Sequence, residues 1–236
     1  MKGKSLYLGV LLFISGLIFA AYLLKSRSEE KLSTRTGEIK LPAPRYKGKL
    51  SVEEAIYRRR SIRRYKDAPL TLQEVSQLLW AGVGATIDGV TGATRAYPSA
   101  GATYPLELYL VAGKVKELEA GLYHYDWRNH KLILLKRGDL RRELTRAALG
   151  QRMVQDAPIS LVFTAVYPRT TRRYGERGKT RYVHMDMGHA GQNIHLQAEA
   201  LDLGTVVVGA FQDQAVKKVL GVKDQEPLYI MPVGRK

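Results

Sequence analysis

Eight consecutive residues, Arg58-Arg59-Arg60-Ser61-Ile62-Arg63-Arg64-Tyr65, hold five arginines and one serine hydroxyl. Guanidinium forks beside a hydroxyl suit a phosphate monoester, because each fork donates two charge-assisted hydrogen bonds to oxygens of one anion. The same composition also describes a solvated basic surface, or a patch for anionic lipid or nucleic acid, and composition alone favours that plainer account. A second polar group, Asp186, His189 and Asn193, recurs at i, i+3 and i+7, so the three share one face of a helix. His184, His189 and His195 are five and six residues apart. That misses the i, i+4 spacing that sets two imidazoles on one helix face, so no metal site is expected. The chain has no cysteine, which excludes disulfides, thiolate nucleophiles and thiolate-held metal or iron–sulfur sites.

The elements that must position these groups can be read around them. Ser51-Val52-Glu53-Glu54 is a capping box and predicts a short helix carrying Val52, Ala55 and Ile56 inward before the arginines. Thr71-Leu72-Gln73-Glu74 is a second one, opening a helix with Leu72, Val75, Leu78 and Leu79 on one face and Gly82 and Gly84 at its end. Residues 85–96 read as a Thr/Gly-rich loop with Arg95 near its end. In Pro98-Ser99-Ala100-Gly101-Ala102 the small residues allow the backbone to approach a planar ring closely, although ordinary tight turns share that composition. Leu106 to Val111 is a strand. Gly121–Asp126 and Lys131–Leu135 form a hairpin around Trp127-Arg128-Asn129-His130, with His124 and His130 expected at the surface.

Leu140 to Leu149 predicts an amphipathic helix stopped by Gly150. The apolar run Pro158–Val166 predicts a central strand covered on both faces. Tyr167 to Lys179, dense in Arg, Gly and Tyr, is expected to be a mobile, exposed loop, followed by a long helix from about Thr180 to Leu203 in which Gly188 and Gly191 permit close packing. Thr205–Val208 reads as a buried strand leading into Gly209-Ala210-Phe211. A short helix from Asp213 to Leu220 and a last strand, Pro227–Val233, then deliver Gly234-Arg235-Lys236.

The 236 residues suffice for one good-sized domain and an appendage, and the net charge of +16 draws the chain toward anionic surfaces. That charge is dispersed and accompanies no nucleic-acid motif, so no nucleic-acid partner is expected. Leu6 to Leu24 contains no charge; as a helix rising ~1.5 Å per residue it just spans a bilayer core of about 30 Å. It lacks a small-x-small closing site and exceeds the usual apolar core of a signal peptide, so it reads as a retained anchor. Lys25, Arg27, Lys31, Arg35 and Lys40 outnumber Lys2 and Lys4, which by the positive-inside rule puts the following domain on the cytoplasmic side. The organisation is then a transmembrane anchor at 1–25, a linker at 26–49 broken by Pro42 and Pro44, and a domain at 50–236.

Four stretches in register carry a family resemblance. Arg59-Arg60-Ser61-Ile62-Arg63, then Tyr97 to Pro105 (YPSAGATYP), then Asp186-Met187-Gly188-His189-Ala190-Gly191-Gln192-Asn193, then Val208-Gly209-Ala210-Phe211 resemble the FMN-dependent nitroreductase superfamily. The second and third are most similar to its SagB-like branch, which includes dehydrogenases that oxidise azolines to thiazoles and oxazoles in modified peptides.

The resemblance implies an α+β fold, a mainly antiparallel sheet surrounded by helices, working as a homodimer with FMN at the subunit interface. It implies that Arg59, Ser61 and Arg235 hold the FMN phosphate with Arg60 peripheral, and that Arg63 is the cation near the flavin N1/O2 edge. Pro98, Ser99, Ala100 and Gly101 line the ring, and a backbone N–H of Gly209 or Ala210 reaches N5. The implied activity is hydride transfer between NAD(P)H or another electron donor and a small-molecule or peptide substrate.

Two departures bear on the chemistry. Ala102-Thr103-Tyr104 stands where nitroreductases outside the branch have a polar Asn-Ser-Gln, and Arg173-Tyr174 stands where the azoline dehydrogenases have Lys-Tyr. Arginine, with a pKa above about 12, is a poor general base, so the resemblance reaches flavin-dependent oxidoreduction and stops short of azole formation. A non-catalytic flavin-binding protein and a basic membrane-tethered interaction module remain the alternatives.

Overall fold

The computed structural model describes residues 37–86 and 94–236 of the chain. The chain divides into two compact units, Met1–Ile39 and Lys40–Lys236. The apolar segment Leu6–Leu24, residues 26–36 of the linker and the middle of the 85–96 loop lie outside the described residues. Among those that are described, no helix is long and apolar enough to cross a membrane. Of the first unit only the residues leading into a short strand, β1 (Glu38–Lys40), are described.

In the second unit, β2 (Leu106–Ala112), β3 (Gly121–Asp126), β4 (Lys131–Arg137), β5 (Ile159–Ala165), β6 (Leu203–Thr205) and β7 (Glu226–Arg235) build one sheet. They lie in the order β4-β3-β2-β5-β7-β6, each adjoining pair antiparallel. β2 and β5 are the centre, and every residue of both is buried. Their largely apolar sequences, broken only by Glu107 in β2 and by Ser160 and Thr164 in β5, follow from having helices on both faces. One face carries α2 (Leu72–Val83) and α6 (Val183–Ala200). Gly82 of α2 sits so close that an added Cβ would lie 3.1–3.3 Å from Ile194, Leu108 and Phe163. On the other face Tyr109, Val162 and Ile230 pack with Leu144 of α3 (Arg141–Ala147), Val154 of α4 (Arg152–Asp156) and Val216 and Leu220 of α7 (Asp213–Leu220). This is the α+β architecture expected from the sequence.

The structure corrects several local readings. α1 (Val52–Arg58) has the expected capping box but buries Ala55 alone; Val52 and Ile56 are 58% and 57% exposed, beside Tyr57 at 80%. The helix lies against α6 along the line of Ala55, which leaves its apolar flanks outward. Tyr167–Lys179 is helical: α5 (Pro168–Arg177) leads through a π-helical turn at Gly178–Tyr182 into α6. Pro168 pre-sets the first turn and Thr170 anchors the helix in the core, while Gly175, at φ 56°, makes the kink that its glycine content suggested was a loop. His124 and His130 are half-buried rather than superficial. His124 bonds Glu107 at 2.8 Å, and His130 spans Tyr125 Oη (2.7 Å) and Ser76 Oγ (2.8 Å). The β6 ladder ends at Thr205, and Val208 rejoins β7 only through a bridge to Ile230. Gly191 faces Tyr229 at 3.3 Å, but Gly188 has open space and serves no packing need.

Candidate functional site

The arginine stretch is built onto the sheet. After α1 the chain turns extended at Arg59. Ile62 N donates to Thr205 O at 2.9 Å and Lys66 N to Arg235 O at 3.0 Å, so the strip lies along the ends of β6 and β7. Two glycines make that approach possible. A Cβ on Gly204 would stand 2.6 Å from Ile62 Cγ2, and one on Gly234 would stand 2.8 Å from the Tyr65 ring and 2.9 Å from Pro158. Tyr65 locks the strip, its hydroxyl set between Ile62 O (2.8 Å) and Pro232 O (3.2 Å), and burial pushes its pKa well above the usual phenol value.

In an extended strip alternate residues share a side. Ile62 points at Gly204, whereas Arg59, Ser61 and Arg63 fall on the alternate set, which accounts physically for the spacing of the motif. Among the described residues none of those three side chains has a hydrogen-bond or ion-pair partner, and Ser61 and Arg63 are exposed. Arg60 turns back instead, Nη1 donating to Tyr57 O (2.9 Å) and Arg59 O (2.8 Å) at the end of α1. Arg235 reaches the strip by its backbone, while its guanidinium forks both oxygens of Glu74 at 2.9 Å.

Glu74 therefore serves twice, since it also accepts from Thr71 N at 2.8 Å in the second capping box. Burial raises its pKa, but the Thr71 and Arg235 bonds outweigh that and hold it below 4.5. A carboxylate depressed in the folded state contributes stability above its unfolded pKa and loses it as pH falls through the folded value. Acid unfolding measured below about pH 4.5 should accordingly be less steep in Glu74→Gln, which lacks this titration.

The Pro98–Gly101 turn is held by the polar face of α6. Asn193 Nδ2 donates to Ala96 O at 2.7 Å, and His189 Nδ1 meets Pro98 O at 3.2 Å. Asp186 accepts from Ser99 Oγ at 2.5 Å and from Ala100 N at 3.3 Å. The i, i+3, i+7 face is thus a clamp for this turn, which the spacing predicted as a face and not as a contact. The turn is strained: Gly101, Ala102 and Tyr104 have φ of 57°, 54° and 44°. Such conformations cost of order 1 kcal/mol each for residues with a side chain, so the clamp must over-determine them.

Asp186 is 2% exposed, and burial raises its pKa despite the Ser99 and Ala100 bonds. Asp186→Ala leaves Ser99 Oγ and Ala100 N without that acceptor and should lower stability by about 1–3 kcal/mol in urea unfolding. Over Gly101 lie Arg173, whose Nη1 is 3.4 Å from Gly101 O, and Tyr174, whose hydroxyl would be 2.4 Å from a Cβ there.

Gly209 and Ala210 are exposed, and neither backbone N–H donates to a described residue. Nothing lies within 4 Å of a Cβ built on Gly209. They follow Thr205, the residue paired with Ser61, by four and five positions, so at most about 18 Å of chain separates them from the basic strip. His195 of α6 is buried near Arg59; its pKa is lowered by burial first and by that guanidinium second. Among the described residues no hydrogen bond or ion pair joins the basic strip to the Pro98–Gly101 turn. Missed from sequence were Glu74 as the partner of Arg235 and the burial of Arg95; the capping box was the available signal for the first, and a lone arginine in a glycine-rich loop gave none for the second.

Residues 56–235 match the nitroreductase family model, and the chain belongs to the nitroreductase family. A Methanocaldococcus jannaschii protein bearing the nitroreductase name is 44% identical over 201 residues, which cover 85% of this chain and 98% of that one. The trifolitoxin-processing protein TfxB of Rhizobium leguminosarum bv. trifolii is 31% identical over 130 residues, covering 53% of this chain and 35% of its own length. That relative agrees with the SagB-like branch recognised in the motifs. A crystal structure of a nitroreductase-named protein from Anabaena variabilis superposes with a TM-score of 0.72 at 32% identity, over 84% of this chain and 41% of that one.

Proposed function

We propose that the chain is an FMN-dependent oxidoreductase that passes a hydride between a donor and a second substrate in turn. The observation carrying this reading is the seating of Arg59, Ser61 and Arg63, unpartnered among the described residues, on a strip paired at Thr205, four and five residues before Gly209 and Ala210, whose N–H groups donate to no described residue. Those donors fit a phosphate monoester at one end and a ring nitrogen at the other, which is the donor set FMN requires. Bound FMN would supply the hydride-accepting and hydride-donating centre.

The protein's own part is positioning and electrostatics. Arg59 and Ser61 donate to phosphate oxygens, with Arg235 joining once it shares or releases Glu74. Arg63 stabilises negative charge at the pyrimidine edge of the ring, which raises the tendency of the site to accept a hydride. The small residues Ser99, Ala100 and Gly101 leave a planar group room to lie against the backbone. Tyr174, packed over Gly101, orients a substrate, and the guanidinium of Arg173 beside it is a poor general base, so the pair does not support base-driven azoline oxidation.

The apolar flank of α1, with Val52, Ile56 and Tyr57 exposed together, supports association of two copies into the homodimer expected of the family. The Leu6–Leu24 segment is proposed to tether the enzyme to a membrane, with the domain on the cytoplasmic side. Retention in washed membranes, lost when residues 1–25 are removed, is the corresponding test.

FMN and riboflavin titrated separately into the flavin-free protein test the assignment. FMN should bind on the order of 10²-fold or more tightly, because charge-assisted bonds contribute about 1.5–3 kcal/mol each. Equal affinities would rule out the phosphate site. Consumption of NADH or NADPH by the loaded protein then separates an enzyme from a flavin-sequestering protein.

A further inference from the structure

A second basic group lies away from the strip, around a cleft of about 340 Å³ lined by Thr94, Arg95, Ala102–Tyr104, Trp127, Arg128 and Arg169. Its charge is one-sided. Among the described residues three guanidiniums and no carboxylate line it; Glu107 is committed to His124 at 2.8 Å and Arg169 at 2.5 Å, and Asp126 accepts from the backbone N of Arg128 at 3.0 Å.

Arg95 is the unusual member. It is 6% exposed, its Nη1 donates to Leu106 O at 2.7 Å, and its Nε has no hydrogen-bond partner among the described residues. Its guanidinium lies 4.2 Å from the centre of the Trp127 ring, and that of Arg128 lies 4.4 Å from the same ring. Stacking on an indole holds a guanidinium by its face and leaves its N–H edge free to fork an oxyanion. Arg128 makes no side-chain hydrogen bond to any described residue, and Arg169 uses Nη1 alone, toward Tyr104 O and Glu107. A buried, incompletely bonded cation beside two like charges is costly, and an anion would offset both the missing bond and the repulsion.

We propose that this cleft is an anion-binding site for the phosphate group of a small molecule, with Arg95, Arg128 and Arg169 as its donors and Trp127 as the plate against which Arg95 and Arg128 lie. The site stands whether or not the basic strip binds FMN. Its floor is formed by Ala102–Tyr104, directly after the clamped turn, so an occupant would brace that strained backbone.

Inorganic phosphate titrated calorimetrically at constant ionic strength into the protein carrying its bound flavin, so that the strip is already filled in the parent, tests this in three forms: the parent chain, Arg128→Gln, and Arg59→Ala with Ser61→Ala. Arg128 is exposed, so its replacement leaves the core intact. Saturable binding is expected in the parent, weakened at least about tenfold by Arg128→Gln and changed less than about twofold by the Arg59/Ser61 pair. No saturable binding in the parent, an unchanged affinity in Arg128→Gln, or loss of binding in the Arg59/Ser61 variant would each overturn the assignment. The last outcome would mean that the basic strip is the phosphate site detected. Failure of the FMN reading itself would instead appear in the flavin titrations and leave this result standing.

Discussion

Arg59→Ala combined with Ser61→Ala yields a protein that folds and no longer holds FMN. Among the described residues neither side chain has a hydrogen-bond or ion-pair partner, so their removal breaks no such contact there. What is lost is a pair of charge-assisted interactions with a dianionic phosphate, together about 3–6 kcal/mol, or on the order of 10²–10⁴ in affinity. Flavin content of the purified variant and its FMN dissociation constant measure the effect, with urea unfolding as the control for stability. Arg60→Ala is the internal comparison. Its guanidinium is turned back onto Tyr57 O and Arg59 O, so that change should cost little FMN affinity. A fully flavinated double variant would return the arginines to a plain basic surface.

The second large effect comes from a residue with no functional group. Gly234→Val drives a branched side chain toward the Tyr65 ring and Pro158, where even a Cβ stands at 2.8–2.9 Å. Neither neighbour is the loose end of a flexible side chain, so the strip must lift off the sheet. Overpacking of this kind costs about 1–3 kcal/mol. Because Tyr65 anchors the same strip that bears Arg59, Ser61 and Arg63, FMN affinity should fall together with the melting temperature. Gly209→Ala provides the contrast, with open space around the new methyl and an intact backbone N–H. It should leave stability within about 0.5 kcal/mol of the parent. Equal melting temperatures for Gly234→Val and the parent would show that the strip is not held as described.

Much of this arrangement is legible in the chain because the strongest signals are local. Both capping boxes form as their residues dictate, and the apolar run around Leu161 becomes the central strand because no polar residue interrupts it long enough to face solvent. The i, i+3, i+7 set at Asp186, His189 and Asn193 is local as well, and it does make one working face.

What escaped reading is what tertiary contact decides. No pattern tells that Ile56 points outward, since the burial of α1 depends on where α6 runs. Tyr167–Lys179 carries the composition of a loop, yet Thr170 finds a buried seat that only the folded sheet supplies. Arg235 was legible as a basic residue near the end of the last strand but not as the partner of Glu74, 161 residues away in sequence. The clamp on Ser99 spans 87 residues and is equally non-local. Arg95, buried against Trp127, is the sharpest case, because its type argues for solvent and only the assembled cleft keeps it inside.

The central claim is that this chain binds FMN at the basic strip, and the absorption spectrum of the detergent-purified full-length protein tests it most directly, followed by release and identification of the chromophore. The expected result is a flavin spectrum whose released species is FMN. A colourless protein that also refuses added FMN would contradict it and would make the arginines a surface for anionic membranes, recognisable by vesicle binding that falls steeply with salt.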